Sequence, residues 1–254
     1  MTSSPTPART VLVTGGGRGI GAATSWLAAQ HGWAVAVNYT HGTAAAQGMV
    51  ARIRDAGGTA LALQADVADE AQVLQMFAAL DAELPPLAAL VNNAGVVDVQ
   101  ARLEAMTVER LQRMFTINVI GSMVCAREAV KRMSTAHGGG GGTIVNLSSA
   151  AARLGAPGQY LDYAAAKGAI DVFTLGLAKE VAAEGIRVNA VRPGIIDTEI
   201  HASGGTPDRA RQMAPLVPMQ RAGSADEVAQ AILWLMSDAS SYTTGAVIDV
   251  TGGR

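Results

Sequence analysis

Short apolar runs rich in β-branched residues alternate with longer Ala- and Leu-rich stretches along most of the sequence. The run TVLV at 10–13 is followed by GIGAATSWLAAQ, and WAVAVN at 33–38 is followed by TAAAQGMVARIRD. Runs of the first kind predict strands, and stretches of the second kind predict helices. This order constrains the fold strongly, because parallel strands need a long crossover between them and a helix usually supplies it.

The alternation continues to the end of the sequence. Further strands are predicted at 61–67, 87–95, 143–149, 187–194 and 246–250, and further helices near 107–136, 160–184 and 224–237. The predicted strands are apolar on both faces, as expected when helices cover both sides of a parallel sheet. The sequence therefore predicts an α/β fold, a doubly wound parallel sheet of about seven strands with helices on both faces.

Length and charge limit the classes of protein to consider. The 254 residues, 49% of them apolar, are enough for one large domain, which we place at 9–254 after a flexible tail at 1–8. A net charge of -2 gives no electrostatic case for binding nucleic acid or an anionic membrane. No run reaches the roughly 18 apolar residues of a transmembrane helix. We expect a cytoplasmic protein with a small-molecule partner.

Cysteine and histidine give no sign of a disulfide or a metal site. Cys125 is the single cysteine, and its setting SMVCAREAV is typical of a helix interior, which favours packing over nucleophilic catalysis. The four histidines are scattered without the spacing of a metal-binding motif. We predict no metal.

A glycine cluster, TGGGRGIG at 14–21, follows the first strand and opens the first helix. Glycines at this place let the backbone approach a pyrophosphate, which the helix N-terminus then stabilises. The residues alone allow two registers, GxGxxA from Gly17 and GxxxGxG from Gly15. Because the cluster lies within a β-α-β unit, it predicts dinucleotide binding in either register.

The end of the second strand bears on the type of dinucleotide. An acidic residue about 20 residues after the glycines usually binds the ribose 2'-hydroxyl of NAD. Here the region reads VNYTHG, and no Asp or Glu occurs between the glycine loop and Asp55. Arg18 in the loop could pair with a 2'-phosphate, although it could also be a solvated loop charge. The sequence favours NADP(H) and leaves NAD(H) possible.

Three more motifs follow predicted strands. NNAG at 92–95 ends the fourth strand, a serine pair at 148–149 ends the fifth, and PGIIDT at 193–198 ends the sixth. In an open parallel sheet, ligands bind outside the carboxyl ends of the strands. We therefore expect these motifs and the glycine loop to line one edge of the sheet.

These motifs, together with Asn118 in FTINV, YAAAK at 163–167 and a TG...GG ending, resemble the classical short-chain dehydrogenase/reductase family over about residues 9–254. The resemblance implies a Rossmann-type fold and an NAD(P)-dependent oxidoreductase that acts on a carbonyl or secondary alcohol. It also implies the GxxxGxG register. A homo-oligomer, tetramer or dimer, is expected by the same resemblance.

The resemblance carries over to individual residues. It implies a catalytic tetrad of Asn118, Ser149, Tyr163 and Lys167. The cofactor contacts expected from the motifs and the resemblance, besides Tyr163 and Lys167, are Gly15, Gly17, Arg18, Gly19, Ile20, Asn38, Tyr39, Thr40, Asp66, Val67, Asn92, Ala94, Gly95, Pro193, Gly194, Ile196 and Thr198.

Helix geometry distinguishes the two tyrosines of GQYLDYAAAK. Tyr163 and Lys167 are i and i+4 neighbours with Cβ atoms about 5–6 Å apart, whereas Tyr160 is roughly 10 Å from the lysine along the axis. A tyrosine acting near pH 7 needs its pKa lowered by about three units, or about 4 kcal/mol. An ammonium at about 4 Å supplies energy of that order. We predict that Tyr163 is the acid/base and that Lys167 lowers its pKa. Tyr160 is expected at the helix start, where it edges the substrate pocket or makes a subunit contact.

The serine spacing departs from the family pattern. The family usually places its catalytic serine thirteen residues before the tyrosine, where this sequence has Ala150, so Ser149 and Ser148 are one and two residues further away. Strand side chains alternate between faces, so only one of the pair is expected to point at the substrate. We predict Ser149 and leave Ser148 as the alternative.

The segment at about 197–223 lacks a clear helical stripe and predicts a substrate lid. The sequence has no basic cluster of the kind that binds a carrier-bound phosphate, and it does not choose among sugars, alcohols, steroids and thioesters. Two alternatives to the dehydrogenase remain at this point. One is a noncatalytic NADP(H)-binding sensor or scaffold on the same fold, and the other is an epimerisation or dehydration.

Overall fold

Seven strands occur in the computed structural model, which describes residues 9–254. They are β1 (Thr10–Val13), β2 (Ala34–Tyr39), β3 (Ala60–Gln64), β4 (Leu87–Asn92), β5 (Gly142–Leu147), β6 (Ile186–Pro193) and β7 (Val247–Val250). All pair in parallel in one sheet, in the order β3-β2-β1-β4-β5-β6-β7. The predicted tail at 1–8 lies outside the described residues.

Helices cover both faces of this sheet. They are α1 (Gly19–Gln30), α2 (Thr43–Asp55), α3 (Glu70–Glu83), α4 (Val108–Phe115), α5 (Gly121–Met133), α6 (Ala151–Leu154), α7 (Leu161–Val181), α8 (Ile200–Ser203), α9 (Arg209–Met213) and α10 (Ala225–Met236). A π-helical turn at Thr116–Ile120 joins α4 to α5, within the single helical region that the sequence predicts. The predicted doubly wound α/β fold is confirmed.

Alternation along the strands divides the core between the two faces. Val11 and Val13 belong to the cluster that includes Ile232 of α10, and Leu12 belongs to the opposite cluster, which includes Phe77 of α3. All five side chains are fully buried. Apolar residues at consecutive positions of β1 are therefore needed because both faces of a parallel strand are covered.

The strand order reverses between β1 and β4, because the chain crosses from β3 at the sheet edge to β4, which pairs with the other side of β1. Such a switch point leaves a crevice outside the carboxyl ends of the two strands. Asn93, just after β4, bridges it by donating from its side-chain amide to the carbonyl oxygens of Thr14 (2.9 Å) and Gly15 (3.1 Å). The motifs after β1 and β4 therefore lie against each other.

A buried polar chain fixes α7 against the sheet. The Asn92 amide donates to Asn146 Oδ1 at 2.9 Å, and the Asn146 amide donates to Thr174 Oγ1 at 2.9 Å. The Thr174 hydroxyl in turn donates to the carbonyl oxygen of Ile170 at 2.8 Å. This chain connects β4, β5 and α7, and α7 also carries Tyr163 and Lys167.

Between β6 and α10, the predicted lid at 197–223 contains two short helices, α8 and α9, rather than continuous loop. Of the helices described, none is both long and apolar enough to cross a membrane. Residues 9–254 contain no group of three His, Cys, Asp or Glu side chains placed to hold a metal ion. Cys125 lies on the buried face of α5, in the core.

We expect Asn146→Ala to lower the free energy of unfolding by about 1–3 kcal/mol, because it leaves buried hydrogen-bonding groups of Asn92 and Thr174 without this partner. Urea unfolding followed by circular dichroism measures the change. The control is Gln75→Ala on the exposed face of α3, which should change stability by less than about 0.5 kcal/mol. Equal stabilities of the two variants would contradict a stabilising role for this chain of hydrogen bonds.

Candidate active site

A cleft of ≈ 450 Å³ lies at the carboxyl edge of the sheet. Its lining combines residues from the ends of β5 and β6, from the start of α7 and from the segment at 197–223, including Ser149, Tyr163, Lys167 and Thr198. Motifs distant in sequence thus meet at one edge, as their position after parallel strands predicts.

The two serines after β5 have different partners. Ser149 forms a side-chain hydrogen bond with the Tyr163 phenol, and its Oγ also accepts from the Ala151 amide at 3.2 Å. Ser148 is buried, and its Oγ donates to the carbonyl oxygen of Lys167 at 3.3 Å. Ser149 is therefore the serine whose hydroxyl contacts the phenol.

Lys167 lies buried behind the tyrosine. Its Nζ is 5.6 Å from the centroid of the Tyr163 ring and donates to the carbonyl oxygen of Leu147 at 2.7 Å. A Cβ atom added to Gly95 would lie 3.6 Å from this Nζ and 2.7 Å from Asn118 Oδ1. The glycine of NNAG thus allows the backbone to approach both side chains closely.

Asn118 lies in the π-helical turn between α4 and α5, the kind of irregularity that often occurs at functional sites. Its Oδ1 accepts from the Val96 amide at 3.1 Å, and its Nδ2 donates to the carbonyl oxygens of Val96 (3.1 Å) and Met114 (3.0 Å). The side chain is fully buried. Asn118 therefore holds the loop after β4 in place beside Lys167.

Burial dominates the electrostatics of the tyrosine and lysine. It raises the pKa of Tyr163 to about 12, against the opposite effect of the Ser149 hydrogen bond. It lowers the pKa of Lys167 to about 8, against the opposite effect of the Asp171 charge one turn later. In the protein alone, Tyr163 is therefore protonated at neutral pH. The predicted lowering of its pKa by Lys167 is not found in this state, because burial sets the direction of the shift and the opposing effect comes from Ser149.

The glycine loop has the shape of a phosphate cradle. Gly15 adopts φ +62°, which other residues rarely tolerate, and a Cβ atom on Gly21 would lie 2.2 Å from the Gly15 carbonyl oxygen. These restrictions match the GxxxGxG register. The Arg18 side chain does not cap α1, which leaves first-turn amides for a ligand. The loop therefore fits the pyrophosphate of a dinucleotide.

Residues at the end of β2 are largely held by neighbouring backbone. Asn38 is buried, with Oδ1 accepting from the Gly15 amide at 3.2 Å and Nδ2 donating to two carbonyl oxygens of the adjoining strand region. Tyr39 is buried, and Thr40 donates to the Ala65 carbonyl oxygen at 3.1 Å. Arg18 is exposed, and no hydrogen bond or ion pair joins its side chain to residues 9–254.

The other expected cofactor residues surround the crevice. Asp66 accepts a hydrogen bond from the Ala68 amide at 2.9 Å. The side-chain amide of Asn92 belongs to the buried polar chain, and its Oδ1 is buried without a partner in the described structure. A Cβ atom on Gly19 would be 3.4 Å from Thr198, so the glycine loop adjoins the start of the lid segment. The expected residues that line the cleft itself are Ile20, Gly95, Tyr163, Lys167, Pro193, Gly194, Ile196 and Thr198. Val67 is buried in the core, and the Ala94 amide donates to Thr14 Oγ1 at 3.0 Å.

Sequence reasoning missed an ion pair beside the tyrosine. Arg110 of α4 donates to Asp162 through Nε (2.8 Å) and Nη2 (3.3 Å), and the Asp162 side chain is fully buried. Its position next to Tyr163 in the first turn of α7 was an available signal. The pair holds α4 against the part of α7 that carries the tyrosine.

Two arginines of the cleft were also missed, Arg209 of α9 and Arg254 after β7. They are far apart in sequence and belong to no motif. Only the folding of both segments over the same edge of the sheet brings them into one site.

Comparison with known proteins identifies the family. A family model described as enoyl-(acyl carrier protein) reductase matches residues 15–254. A double mutant of a Serratia marcescens short-chain dehydrogenase/reductase is 33% identical, with a TM-score of 0.89 over 98% of this chain and 99% of that chain. The chain belongs to the classical short-chain dehydrogenase/reductase family.

Relatives in this dehydrogenase/reductase family include uncharacterised and assigned oxidoreductases. The uncharacterised oxidoreductase YgfF of Escherichia coli (strain K12) is 58% identical, over 96% of this chain and 98% of that protein. The cis-4-hydroxycyclohexanecarboxylate dehydrogenase of Sinomonas cyclohexanicum is 40% identical, over 96% of each chain. The protein is thus an oxidoreductase of a family that uses nicotinamide cofactors.

The lowered pKa of Lys167 predicts a pH-dependent stability. The unfolded chain keeps the lysine proton up to about pH 10.5, whereas the folded protein releases it near pH 8, so stability rises with pH across this window. We expect the free energy of unfolding of wild type, relative to Lys167→Met, to rise by about 2–3 kcal/mol from pH 7 to 10. Urea unfolding of the cofactor-free protein at both pH values measures this difference.

Lys179→Met is the matched control, because Lys179 is an exposed lysine on the same helix. Its difference from wild type should stay constant with pH. A constant difference for Lys167→Met as well would contradict the lowered pKa.

Proposed function

We propose that the protein is an NADP(H)-dependent oxidoreductase that interconverts a carbonyl group and a secondary alcohol, with Tyr163 as the general acid/base. The observation that carries this proposal is the hydrogen-bonded pair of Ser149 and Tyr163 in the cleft, with Lys167 buried behind it. The name of the Sinomonas relative, which denotes a ring carrying a secondary alcohol, supports the same reaction class.

The residues of the chain have distinct proposed roles. When bound, the nicotinamide cofactor supplies or accepts the hydride. Ser149 donates a hydrogen bond to the substrate oxygen, and Tyr163 gives its phenolic proton to that oxygen as a carbonyl is reduced. Carbonyl reduction requires a protonated phenol, which is the form that Tyr163 has in the protein without cofactor. Alcohol oxidation requires the phenolate, so it gains from the nearby charge of Lys167.

Lys167 and Asn118 complete the proposed tetrad. The position of Lys167 beside Gly95 suits a contact with the nicotinamide ribose, in addition to its charge next to the tyrosine. Asn118 holds the loop after β4 against the lysine through its three backbone hydrogen bonds. We also propose that Asn118 anchors a water that connects the lysine to solvent.

The cofactor would lie across the switch point of the sheet. We assign its pyrophosphate to the glycine loop, its adenine to the region of Asp66 and Val67, and its nicotinamide to the region of Ile196 and Thr198. Absence of an acidic side chain at the end of β2, with Arg18 exposed nearby, supports NADP(H) over NAD(H).

We also propose a homo-oligomer, a tetramer or dimer, in the cytoplasm. Apolar side chains on α7 and near the start of α5 support the association: Val172 is 72% exposed, Ile120 52% and Met123 43%. Neighbouring apolar side chains at a protein surface often mark contacts with another chain.

Substituting the proposed acid/base tests the reaction. We expect Tyr163→Phe and Ser149→Ala each to lower kcat/KM by about 10²–10⁴-fold, since each removes a group that acts on the substrate oxygen. The assay follows NADPH absorbance with a panel of ketones, diketones, sugars and acyl thioesters.

Ser148→Ala is the matched control, because the Ser148 hydroxyl is directed at the Lys167 carbonyl oxygen. It should lower kcat/KM by less than about tenfold, the cost of one modest hydrogen bond. Unimpaired turnover by Tyr163→Phe would reject the mechanism. If NADPH binds but wild type turns over no carbonyl in the panel, the result would favour the noncatalytic sensor.

Removing the exposed loop arginine tests the cofactor preference. We expect Arg18→Ala to weaken NADPH binding by about tenfold, because it removes one charged partner of the 2'-phosphate, and to change NADH binding little. Nucleotide fluorescence gives both dissociation constants. Lys179→Ala, which removes an exposed cation on α7, is the control. Equal affinities of wild type for NADPH and NADH would contradict the preference.

A further inference from the structure

Among the described residues, the charged side chains that line the cleft are all cationic. They are Lys167, Arg209 and Arg254, and the described part of the lining includes no Asp or Glu. The remainder of the lining is rich in apolar side chains such as Leu154, Ile196 and Ile200. This combination suits a ligand with an apolar body and an anionic group. Since Lys167 is buried behind Tyr163, the two arginines are the cations left to meet that group.

Contacts of the surrounding protein orient the Arg209 guanidinium. Its Nη2 donates to Gln159 Oε1 at 2.8 Å, and its Cζ lies 5.2 Å from the centroid of the Tyr160 ring. Tyr160 is itself buried, and its hydroxyl is 3.4 Å from Thr206 Oγ1. An amide oxygen and an aromatic face orient a guanidinium without neutralising it. In the described part of the chain, no carboxylate pairs with Arg209.

Arg254 is half-buried, and no hydrogen bond or ion pair joins its side chain to residues 9–254. Burial, followed by the charge of Arg209, lowers the pKa of Arg254. The second cause means that the two guanidinium groups lie close enough to repel. Half-buried cations that lack an acidic partner are costly, and a shared anion would offset both the burial and the repulsion.

Carboxylates in the neighbouring hollow already have partners. Asp249 and Glu227 line a second hollow that Arg254 also borders. Asp249 is paired with Arg192 at 2.9 Å and also with Arg153, and Glu227 is paired with Arg221. These acids are therefore committed to other arginines, and the charge of Arg254 is left for a ligand.

We propose that Arg209 and Arg254 bind an anionic group of the substrate, so that the protein acts on an oxo acid or hydroxy acid whose carbonyl or alcohol carbon faces Tyr163. The shared chemistry is an oxyanion with two or more acceptor oxygens, which a pair of guanidinium groups binds with several charge-assisted hydrogen bonds. A carboxylate and a phosphate monoester both have it. This inference rests on the proposed function, since it places the reacting carbon beside Tyr163.

Matched substrates test the charge requirement. We would compare 3-oxobutanoate, 4-oxopentanoate, 5-oxohexanoate and 6-oxoheptanoate with their methyl esters, and dihydroxyacetone phosphate with dihydroxyacetone. For the anionic compound that wild type turns over best, we expect kcat/KM to exceed the kcat/KM of its neutral counterpart by at least about tenfold. The chain length of the best acid would report the spacing between Tyr163 and the arginines, and a preference for the phosphate would identify that source of the charge.

Arginine variants show which residues produce the preference. We expect Arg209→Gln and Arg254→Gln each to reduce the ratio of anionic to neutral kcat/KM by about tenfold, mainly through KM, with the neutral substrate little affected. Arg211→Gln is the matched control, because Arg211 lies on the same short helix, is 81% exposed and pairs with Asp208. It should leave the ratio unchanged. NADPH dissociation constants should be the same in all three variants.

Calorimetric titration of the acids and esters into protein saturated with NADP⁺ gives a readout that needs no turnover. If wild type binds the neutral compounds as tightly as the acids, or more tightly, the inference is overturned and the proposed reaction is left intact. Loss of NADPH affinity in Arg209→Gln and Arg254→Gln, matching the loss of acid binding, would assign the arginines to the cofactor and also overturn it. Arginine-dependent binding of an acid that wild type never turns over would support the anion site and count against the proposed function.

Discussion

Asn93 connects the two halves of the sheet where the strand order reverses, and the site depends on that connection. Its amide donates to Thr14 and Gly15 at 2.9 Å and 3.1 Å, which joins the loop after β4 to the glycine loop after β1. Without this bridge, the backbone carbonyl oxygens of Thr14 and Gly15 at the crevice would lose these hydrogen bonds. With it, the glycine loop and the loop that carries Gly95 form one surface.

Buried polar side chains behind this surface join the sheet to α7 and α7 to α4. Asn92, Asn146 and Thr174 connect the sheet to α7, and the buried pair of Arg110 and Asp162 holds the start of that helix against α4. The position of Tyr163 is therefore set from two sides. The surrounding protein that holds Tyr163 in place also buries its phenol. In the protein alone this burial keeps the phenol protonated, because a phenolate would lose its hydration.

Charge is distributed unevenly around the cleft. Acidic residues near its border are paired with other arginines, whereas Arg209 and Arg254 face the cleft without a carboxylate partner in the described structure. In the proposed function, the end of the cleft at Ser149 and Tyr163 exchanges a proton with the substrate oxygen. In the proposed anion site, the end of the cleft at Arg209 and Arg254 holds a negative charge, so that the two ends together would select a substrate by both its chemistry and its length.

Local pattern determined the fold, the order of the motifs and their meeting at one edge, because β-branched runs, helical stripes and glycine turns act over short stretches of chain. Helix geometry likewise singled out Tyr163 over Tyr160. Only the tertiary structure decided which serine contacts the phenol, how burial shifts the pKa values of Tyr163 and Lys167, and that Asn38 supports the glycine loop. It alone brought Arg209 and Arg254 together, because desolvation and long-range contacts arise from segments that meet only after folding.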